Sequence, residues 1–212
     1  MYMNDDTLDY IAGNYALDKH ISSGCHNYIP GYETLFDPIR YSVKHILEIG
    51  IGSVENGHMT HVRSNGYKTG NSLRCWAEYF SNATVYGLDI FPHPEIITDR
   101  IKTFTADQTD TSRLIQIAEE IGSDIDVIID DGSHIGEHQA ISFMTLYKYL
   151  SLNGVYVIED VQPDYIPKFQ DLSVFPETFQ SILLDNFTIR YFDTRHCLGR
   201  GDDFMVAFHR KK

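Results

Sequence analysis

The residues best suited to chemistry follow an apolar run near the middle of the chain. Residues 125–129 are mostly β-branched, and they are followed by Asp130, Asp131, Gly132 and, two positions later, His134. This pattern is typical of a buried parallel strand whose carboxyl end opens onto a turn. Because open α/β sheets bind their ligands at that end of the strands, we predict a functional site here.

A second apolar run, residues 155–158, ends in the same way in Glu159 and Asp160. If the two strands are neighbours in the sheet, their terminal acids meet at one edge. Mg²⁺ takes carboxylate oxygens from a few side chains and leaves its other positions to water or to substrate oxygens. Asp131, Glu159 and Asp160 are therefore a candidate magnesium site.

Acids at strand ends also have a structural role, because in many α/β proteins they cap the helix that follows without any metal. Of the two adjacent acids, Asp130 is better suited to that role than Asp131. His134 follows Asp131 by three residues at the predicted ligand-binding edge. This position favours a catalytic imidazole over one that only satisfies a hydrogen bond.

Residues 134–138 also match the HxxEH pattern of zinc peptidases. That pattern requires both histidines on one face of a regular helix. Gly136 lies inside the match, and His134 belongs to the turn after a strand. The sequence therefore disfavours a zinc peptidase.

Glycines follow the first predicted strand, residues 45–49. Gly50 and Gly52 allow the backbone to approach a ligand closely. The dinucleotide-binding fingerprint has a third glycine at the position where this chain has Glu55. The two glycines are therefore weak evidence by themselves, and they gain weight from Glu48 just before them.

Polar groups also end the next two predicted strands. The run 84–88 leads into Asp89, an acid that suits the two hydroxyls of a ribose. Residues 101–105 form the following run, and Asp107 and Gln108 come just after it. Successive strand ends therefore offer groups that could line a nucleotide-like ligand.

Helical periodicity between these runs predicts the order βαβαβαβαβ. The predicted helices share an apolar face or a terminal signal: one capped by Asn71, one capped by Asp110 and ended by Gly122, one from about Glu137 to Leu150, and one from Pro176. Asn153 and Gly154 predict a turn before residues 155–158. The alternating runs 187–192 and 204–208, with no predicted helix between them, should pair antiparallel.

These elements predict a Rossmann-like α/β fold with a mostly parallel seven-stranded sheet, a C-terminal antiparallel hairpin and helices on both faces. Residues 41–212 form its domain, and the chain as a whole fits a single domain. Residues 1–40 are of mixed composition and are predicted to be an amino-terminal cap or lid. Tyr28 and Tyr32 in that segment either cover the first strand or line a lid over a substrate.

Charge and cysteine content narrow the classes of partner. The 212 residues include 17 Lys and Arg against 30 Asp and Glu, a net charge of −13, which disfavours nucleic acid and anionic membranes as partners. The three cysteines are widely spaced, which indicates reduced thiols and a cytoplasmic location. The first six residues lack the basic start of a leader peptide, and no apolar run approaches the roughly 20 residues that span a bilayer.

The motifs and their order resemble a known family. The Glu-x-Gly-x-Gly pattern after the first strand, the acid after the second and the C-terminal hairpin resemble the class I S-adenosylmethionine-dependent methyltransferases. Five motifs, at 70–76, 86–90, 107–108, 129–134 and 157–160, are similar to those of the magnesium-dependent sugar O-methyltransferases of the mycinamicin type. The resemblance covers residues 45–208, and five motifs in the right order are more specific than any one of them.

The resemblance implies a role for each matched residue. Asp131, Glu159 and Asp160 would hold Mg²⁺, with Asp131 and His134 acting in catalysis and His134 as the general base. The S-adenosylmethionine site would be formed by residues near the strand ends: Glu48, Gly50, Gly52, Ser72, Asp89, Ile90, Asp107, Gln108 and Asp130. Two departures, the short region before residue 41 and Ala106 in place of the more usual glycine, leave the acceptor and any homo-oligomer open.

The same residues suit the chemistry of O-methylation. A sugar hydroxyl is a poor nucleophile near neutral pH, so its proton must leave as the oxygen attacks. A divalent cation lowers the pKa of a bound hydroxyl, and a nearby imidazole takes the proton. Vicinal oxygens of a sugar or a catechol could chelate the ion, and only the resemblance favours a sugar or glycoside acceptor. An inert nucleotide-binding module is disfavoured because the base and all three acids are present.

Overall fold

The computed structural model of the protein describes residues 6–54, 59 and 66–211. Residues 1–5, on which the leader-peptide interpretation depends, lie outside the described residues. So does Glu55, on which the comparison with the dinucleotide-binding fingerprint depends. The described chain forms a seven-stranded sheet with helices on both faces. The predicted Rossmann-like α/β fold is therefore confirmed.

The sheet is parallel except at its C-terminal edge. Its strands, in chain order, are β1 (His45–Ile49), β2 (Thr84–Asp89), β3 (Ile101–Thr105), β4 (Ile125–Asp130), β5 (Leu150–Ile158), β6 (Phe187–Asp193) and β7 (Phe204–Arg210). Their order across the sheet is β3-β2-β1-β4-β5-β7-β6, and β7 pairs antiparallel with both β5 and β6. The order reverses between β1 and β4, and α/β folds bind ligands in the crevice at such a point.

Helices cover both faces of the sheet. Within the described residues they are α1 (Leu8–Asn14), α2 (Ile29–Phe36), α3 (Asn71–Tyr79), α4 (Thr111–Ile121), α5 (Gly136–Leu146), α6 (Ile166–Gln170), α7 (Glu177–Asn186) and α8 (Arg195–Leu198). Asp110 caps α4 as predicted, since its carboxylate accepts from Arg113 N at 3.0 Å. None of these helices has the length and apolarity that crossing a bilayer requires.

The strands bury alternate side chains in two cores, one on each face. In β4, Val127 and Ile129 pack into the core that contains Trp76 of α3, whereas Ile128 packs into the core around Phe143 of α5. All five side chains are fully buried. Burial of one such side chain contributes about 1.5–3 kcal/mol, so this alternation fixes the register that positions the strand ends.

The predicted turn at Asn153 and Gly154 is wrong, because both residues lie within β5. Helix α5 ends at Leu146 and not near Leu150, and a 3₁₀ turn, Tyr147–Tyr149, leads directly into the strand. Asn153 has a φ of +66°, and the β4–β5 register shifts in this region. An asparagine tolerates this backbone conformation, so the irregularity bends the strand without ending it.

Three helix predictions also differ from the structure. The β2–β3 connection contains only a 3₁₀ turn, Pro94–Ile96, and the β6–β7 connection contains the one-turn α8 where no helix was predicted. The N-cap of α3 is Gly70, with a φ of +74°, and Asn71 is the first helical residue. Asn71 Nδ2 instead donates to Tyr15 O at 2.6 Å, which ties α3 to the end of α1.

The amino-terminal segment packs on the sheet as part of the same core. Leu8 and Ile11 of α1 and Tyr32 of α2 join the hydrophobic cluster that contains α3. Tyr28 and Tyr32 are 0 % exposed, so both side chains are internal. This packing brings the connection between α1 and α2 against the carboxyl ends of β1, β4 and β5.

Candidate active site

The predicted acids meet at the carboxyl edge of the sheet. Backbone pairing continues beyond the strands, since Asp131 N donates to Ile49 O at 2.8 Å and Glu159 N donates to Asp130 O at 2.9 Å. The carboxyl ends of β1, β4 and β5, with the residues that directly follow β4 and β5, are therefore held side by side. Their carboxylates form a cluster that we call the acid rim: Glu48, Asp131, Glu159 and Asp160.

Three side chains at the rim bring donor atoms close enough to share a cation. One atom from each of Asp131, His134 and Asp160 lies within 4.8 Å of the other two. His134 Nε2 is 3.8 Å from Asp160 Oδ2, and the His134 backbone has a φ of +58°. The chain therefore turns sharply after β4, and the imidazole faces the rim although it follows Asp131 by three residues.

Asp160 is held in place by two buried residues from the amino-terminal segment. Tyr28 donates its hydroxyl proton to Asp160 Oδ1 at 2.5 Å. His26 Nδ1 lies 3.4 Å from the same oxygen and 2.7 Å from Oδ1 of the buried Asp203. The His26 and Tyr28 rings are stacked, with centroids 5.0 Å apart. The contacts of Tyr28 and His26 with Asp160 both involve its Oδ1, whereas Asp160 Oδ2 is the oxygen nearer His134.

Glu159 has a different set of partners. The Tyr32 hydroxyl donates to Oε1, and Lys19 Nζ lies 3.0 Å from Oε2. Gln139 Nε2 also donates to the Glu159 backbone carbonyl at 2.8 Å. Both carboxylate oxygens are therefore occupied by protein donors, and Glu159 lies outside the cluster of Asp131, His134 and Asp160. Its role as a metal ligand stays a prediction.

Lys19 brings a positive charge into the acid rim. Its side chain is 1 % exposed, and its ammonium is 2.5 Å from Asp131 Oδ2 and 3.8 Å from Glu48 Oε1. Burial by itself lowers the pKa of Lys19, but the surrounding carboxylates, Asp131 and Glu159 foremost, raise it well above its ordinary range. The amine is therefore protonated, and the rim contains a built-in cation.

Burial raises the pKa of the rim carboxylates despite this cation. Desolvation is the largest cause for Glu159, and the neighbouring charges of Asp131 and Asp160 add to it. Burial likewise raises the pKa of Asp160, and Asp131 contributes in the same direction. Carboxylates that are crowded together out of water are in an environment that a further cation would stabilise.

The residues present fit a divalent metal ion. Asp131 and Asp160 offer the hard oxygen ligands that Mg²⁺ and Mn²⁺ take, and the imidazole of His134 is a further nitrogen donor. Among the described residues, His134 Nδ1 is buried without a hydrogen-bond partner, whereas 36 % of the side chain is exposed. The ring is therefore held by packing and is accessible from the solvent side of the rim.

A cavity of about 230 Å³ lies beside the rim, and most of the residues predicted to bind a cofactor line it. Five of the nine line it: Gly50, Asp89, Ile90, Asp107 and Gln108. A smaller cavity shares Gly50 and Asp89 and extends past Gly52 to Asp131. The two cavities therefore adjoin each other between the ends of β2 and β3 and the acid rim, and we call the pair the channel.

Gly50 allows the backbone to come close to the turn after β4. Its φ is +89°, and a Cβ at this position would lie 2.0 Å from Asp131 O. A side chain is therefore excluded by both the backbone conformation and the space. The glycine predicted for close approach to a ligand also permits close packing of two strand ends.

The polar groups at the ends of β2 and β3 shape the cavity walls. Asp89 accepts hydrogen bonds from Ile51 N and Phe91 N, both at 3.0 Å. Backbone and hydroxyl hydrogen bonds from Thr109 lower the pKa of the exposed Asp107 carboxyl. Gln108 Oε1 accepts from Ser133 N at 2.6 Å, so its amide holds the β4 turn against the end of β3.

Glu48, Ser72 and Asp130 are buried and line neither of the two cavities. Glu48 is 0 % exposed, and Ser72 Oγ donates to its Oε2 at 2.7 Å. Asp130 is also 0 % exposed and accepts hydrogen bonds from the Ser142 hydroxyl and from Gln108 Nε2. Asp130 does not cap α5, whose N-cap is Ile135, but these hydrogen bonds give it a structural role. The cofactor contacts of all three residues stay predictions.

The two histidines of the HxxEH match do not share a helix. His134 precedes α5 and has a left-handed backbone, whereas His138 lies within α5 with Nδ1 3.0 Å from Ser133 Oγ. This geometry lacks the common helical face that a zinc peptidase requires.

Known proteins are similar to this chain in both sequence and fold. A rhamnosyl tetracenomycin-C 2'-O-methyltransferase from Streptomyces olivaceus is 40 % identical over 147 residues, which cover 69 % of this chain and 36 % of that protein. The mycinamicin VI 2''-O-methyltransferase from Micromonospora griseorubida is 37 % identical over 148 residues, 68 % of this chain and 34 % of that protein. The chain has the class I methyltransferase fold and is a relative of the sugar O-methyltransferases. No family model matches it.

A solved methyltransferase structure is similar to nearly the whole chain. The MycE methyltransferase of the mycinamycin pathway, in complex with Mg, SAH and mycinamycin VI, aligns with a TM-score of 0.73 and 27 % identity. The alignment covers 97 % of this chain and 55 % of that chain. The chain spans about a third of the length of the curated sugar O-methyltransferases that it matches.

Four residues of the candidate active site were not identified as functional from the sequence: Lys19, His26, Tyr28 and Tyr32. They come from the cap segment and contact acids more than 100 positions away. Only the position of the two tyrosines, in an aromatic segment considered as a lid, gave a signal. A lysine and a histidine in a polar stretch give none, because local pattern does not encode such distant contacts.

Glu48→Gln should stabilise the protein increasingly as the pH rises. Burial raises the pKa of Glu48 from 4.5 to about 7. A carboxyl with a raised folded-state pKa contributes stability at low pH that is lost as the pH rises from about 4.5 to 7. Between pH 4.5 and pH 8 the variant should gain about 2 to 3 kcal/mol over the wild type in urea unfolding. The exposed Glu119→Gln is the control, and parallel pH profiles for Glu48→Gln and the wild type would contradict the prediction.

Proposed function

We propose that this chain is a metal-dependent O-methyltransferase that transfers the methyl group of S-adenosylmethionine to a hydroxyl of a sugar within a glycoside. The observation that carries the proposal is the acid rim, with the imidazole of His134 beside it and an adjoining cavity lined by five of the nine residues predicted to bind the cofactor. The names of two relatives support the acceptor class, since one is a rhamnosyl tetracenomycin-C 2'-O-methyltransferase and the other a mycinamicin VI 2''-O-methyltransferase. S-adenosylhomocysteine is the second product.

The cofactor site in this proposal is the channel along the carboxyl ends of β1, β2 and β3. Asp89 lies where it can accept hydrogen bonds from the ribose hydroxyls. Asp107, Gln108 and Ile90 line the wall around the base, and Gly50 lets the main chain lie against the cofactor. The smaller cavity between Gly50 and Asp131 directs the reactive end toward the rim.

Asp131 and Asp160 would hold the divalent ion, with Glu159 as a further candidate ligand. When bound, such an ion lowers the pKa of an acceptor hydroxyl and fixes two vicinal oxygens of the acceptor. Tyr28 and His26 keep Asp160 in one orientation. Tyr32 does the same for Glu159, so the carboxylates are pre-organised before any ligand arrives.

His134 is the proposed general base. Its imidazole is partly exposed and faces Asp131 and Asp160, with Nε2 3.8 Å from Asp160 Oδ2. As the acceptor oxygen attacks the methyl carbon, the C–S bond breaks, the O–C bond forms and the imidazole takes the hydroxyl proton. The neighbouring Asp160 carboxylate stabilises the imidazolium that results.

Cofactor binding is the first test of this proposal. One molecule of S-adenosylhomocysteine should bind per chain in titration calorimetry, and Asp89→Ala should weaken it by about tenfold because a ribose hydrogen bond to a charged group contributes about 1.5–3 kcal/mol. The exposed Asp99→Ala is the matched control and should bind like the wild type. Binding of NAD but not of S-adenosylhomocysteine at millimolar concentration would refute the methyltransferase proposal.

Methyl transfer tests the acceptor class. Labelled S-adenosylmethionine, a panel of glycosides and a panel of catechols, each with and without EDTA, separate the sugar proposal from a catechol-type enzyme. Methylation of a glycoside that EDTA abolishes supports the proposal. Transfer to catechols alone would leave the metal chemistry intact and reject the sugar. We also propose that the protein is cytoplasmic and that it forms a homo-oligomer, and mass measurement in solution tests the oligomer.

A further inference from the structure

Lys19 is a buried cation among the acids that the proposed function uses for a metal. Its ammonium lies 2.5 Å from Asp131, 3.0 Å from Glu159 and 3.8 Å from Glu48. These acids come from the ends of three adjacent strands. Across residues 6–54, 59 and 66–211, no other lysine or arginine forms an ion pair with the acid rim.

The rim has two positions for a cation, and Lys19 fills one of them. That position is formed by Glu48, Asp131 and Glu159. The other is formed by Asp131, His134 and Asp160, whose donor atoms lie within 4.8 Å of one another. Asp131 belongs to both positions, because the ammonium contacts its Oδ2 and a carboxylate has a second oxygen.

We propose that Lys19 is a resident counter-ion that limits how tightly the acid rim binds a divalent cation. The inference rests on the metal site of the proposed function. A fixed positive charge beside a divalent ion repels it, and the same charge neutralises carboxylates that would otherwise attract the ion. Lys19, Glu48 and Glu159 are almost fully buried, so the repulsion between the ammonium and a nearby ion is only weakly screened.

Lys19 also occupies oxygens that a metal would otherwise take. Asp131 Oδ2 and Glu159 Oε2 both contact its ammonium, so a metal ion would compete with the lysine for these two oxygens. The competition favours an ion position nearer His134. Lys19 is thus a positioning residue, and it restricts the rim to one divalent ion next to one ammonium.

An organising role for Lys19 would have the opposite consequence. If the lysine were needed chiefly to draw Asp131 and Glu159 together, its removal would let the carboxylates separate and metal binding would weaken. Tyr32 and Gln139 hold Glu159 independently of Lys19, and Asp131 N is paired with Ile49 O. The acids therefore keep their positions when the ammonium is removed.

The test measures Mn²⁺ binding in the absence of cofactor and acceptor. Electron paramagnetic resonance detects the free Mn²⁺ at each point of the titration. Lys19→Met keeps the apolar stem and removes the charge, so its Kd for Mn²⁺ should fall by at least about tenfold relative to the wild type. Lys148→Met is the matched control. It removes the same charge from an exposed side chain before β5, at the opposite edge of the sheet, and its Kd should equal that of the wild type.

Circular dichroism and thermal unfolding establish that Lys19→Met is folded, and Lys19→Gln provides the same comparison if it is not. Equal or weaker Mn²⁺ binding by the neutral variant, or no Mn²⁺ binding by either protein, overturns the inference. Methyl transfer by the wild type is measured separately. A protein that transfers no methyl group but binds Mn²⁺ more tightly without Lys19 loses the proposed function and keeps this inference.

Discussion

Asp131→Ala should lower the rate of methyl transfer by about 10² to 10³, the range that several kcal/mol of metal-derived transition-state stabilisation represents. Asp131 is the one residue that belongs to both cation positions of the rim, so its loss removes a ligand and leaves Lys19 with one fewer counter-charge. Mn²⁺ affinity should fall in parallel. S-adenosylhomocysteine binding should change little, because Asp131 does not line the cavity of about 230 Å³ beside the rim.

The control for this variant is Asp164→Ala, which removes an exposed acid from the loop after β5. Turnover, Mn²⁺ affinity and cofactor affinity are measured on all three proteins. Wild-type turnover by Asp131→Ala in excess EDTA would show that the rim acids are structural. A loss of cofactor affinity equal to the loss of turnover would instead assign Asp131 to the cofactor site.

His134→Ala should lower kcat by about 10² to 10⁴, the usual range for a positioned general base. The imidazole faces Asp131 and Asp160, and its 36 % exposure leaves room for an acceptor hydroxyl beside it. Cofactor affinity should remain near that of the wild type, since His134 does not line the described cavities around Asp89. Rate measurements at saturating cofactor and acceptor test the prediction.

Raising the pH should partly restore the activity of His134→Ala, because hydroxide or water can then take a proton from the acceptor hydroxyl. His209→Ala is the matched control, since this histidine lies in β7 beside the start of β5, with Nε2 3.1 Å from Asn153 O, and lines neither of the two cavities around Asp89. It should retain most of the activity. Wild-type kcat and an unchanged pH profile in His134→Ala would show that the imidazole is not the base.

The strand ends could be predicted because their signals are local. A β-branched run that stops at two acids predicts a buried strand and its carboxyl end, and parallel pairing then brings Asp131 and Asp160 to one edge. The same logic located Asp89 and Gln108 on the wall of the cavity. It could not show that Glu48 is fully buried and does not line the cavity, since a strand end has an exposed side and a buried side.

The contacts of the cap segment could not be predicted, for a different physical reason. Lys19 lies in a polar stretch with no periodicity, and its partners are set by the packing of α1 and α2 against the sheet. The turn expected at Asn153 failed because asparagine tolerates a positive φ inside a strand as well as in a turn. In both cases tertiary packing decided the outcome.

The distance along the chain between Lys19 and its partners has a consequence for folding. The Lys19–Asp131 and Lys19–Glu159 contacts join residues 112 and 140 positions apart, and the His26–Asp203 contact joins residues 177 positions apart. Closing such long loops is entropically unfavourable until the intervening chain is ordered, and contacts of this kind slow folding. The acid rim is therefore expected to be among the last regions to form, after the parallel strands have paired. Until then the carboxylates remain hydrated and separate, so metal affinity emerges only with the native topology.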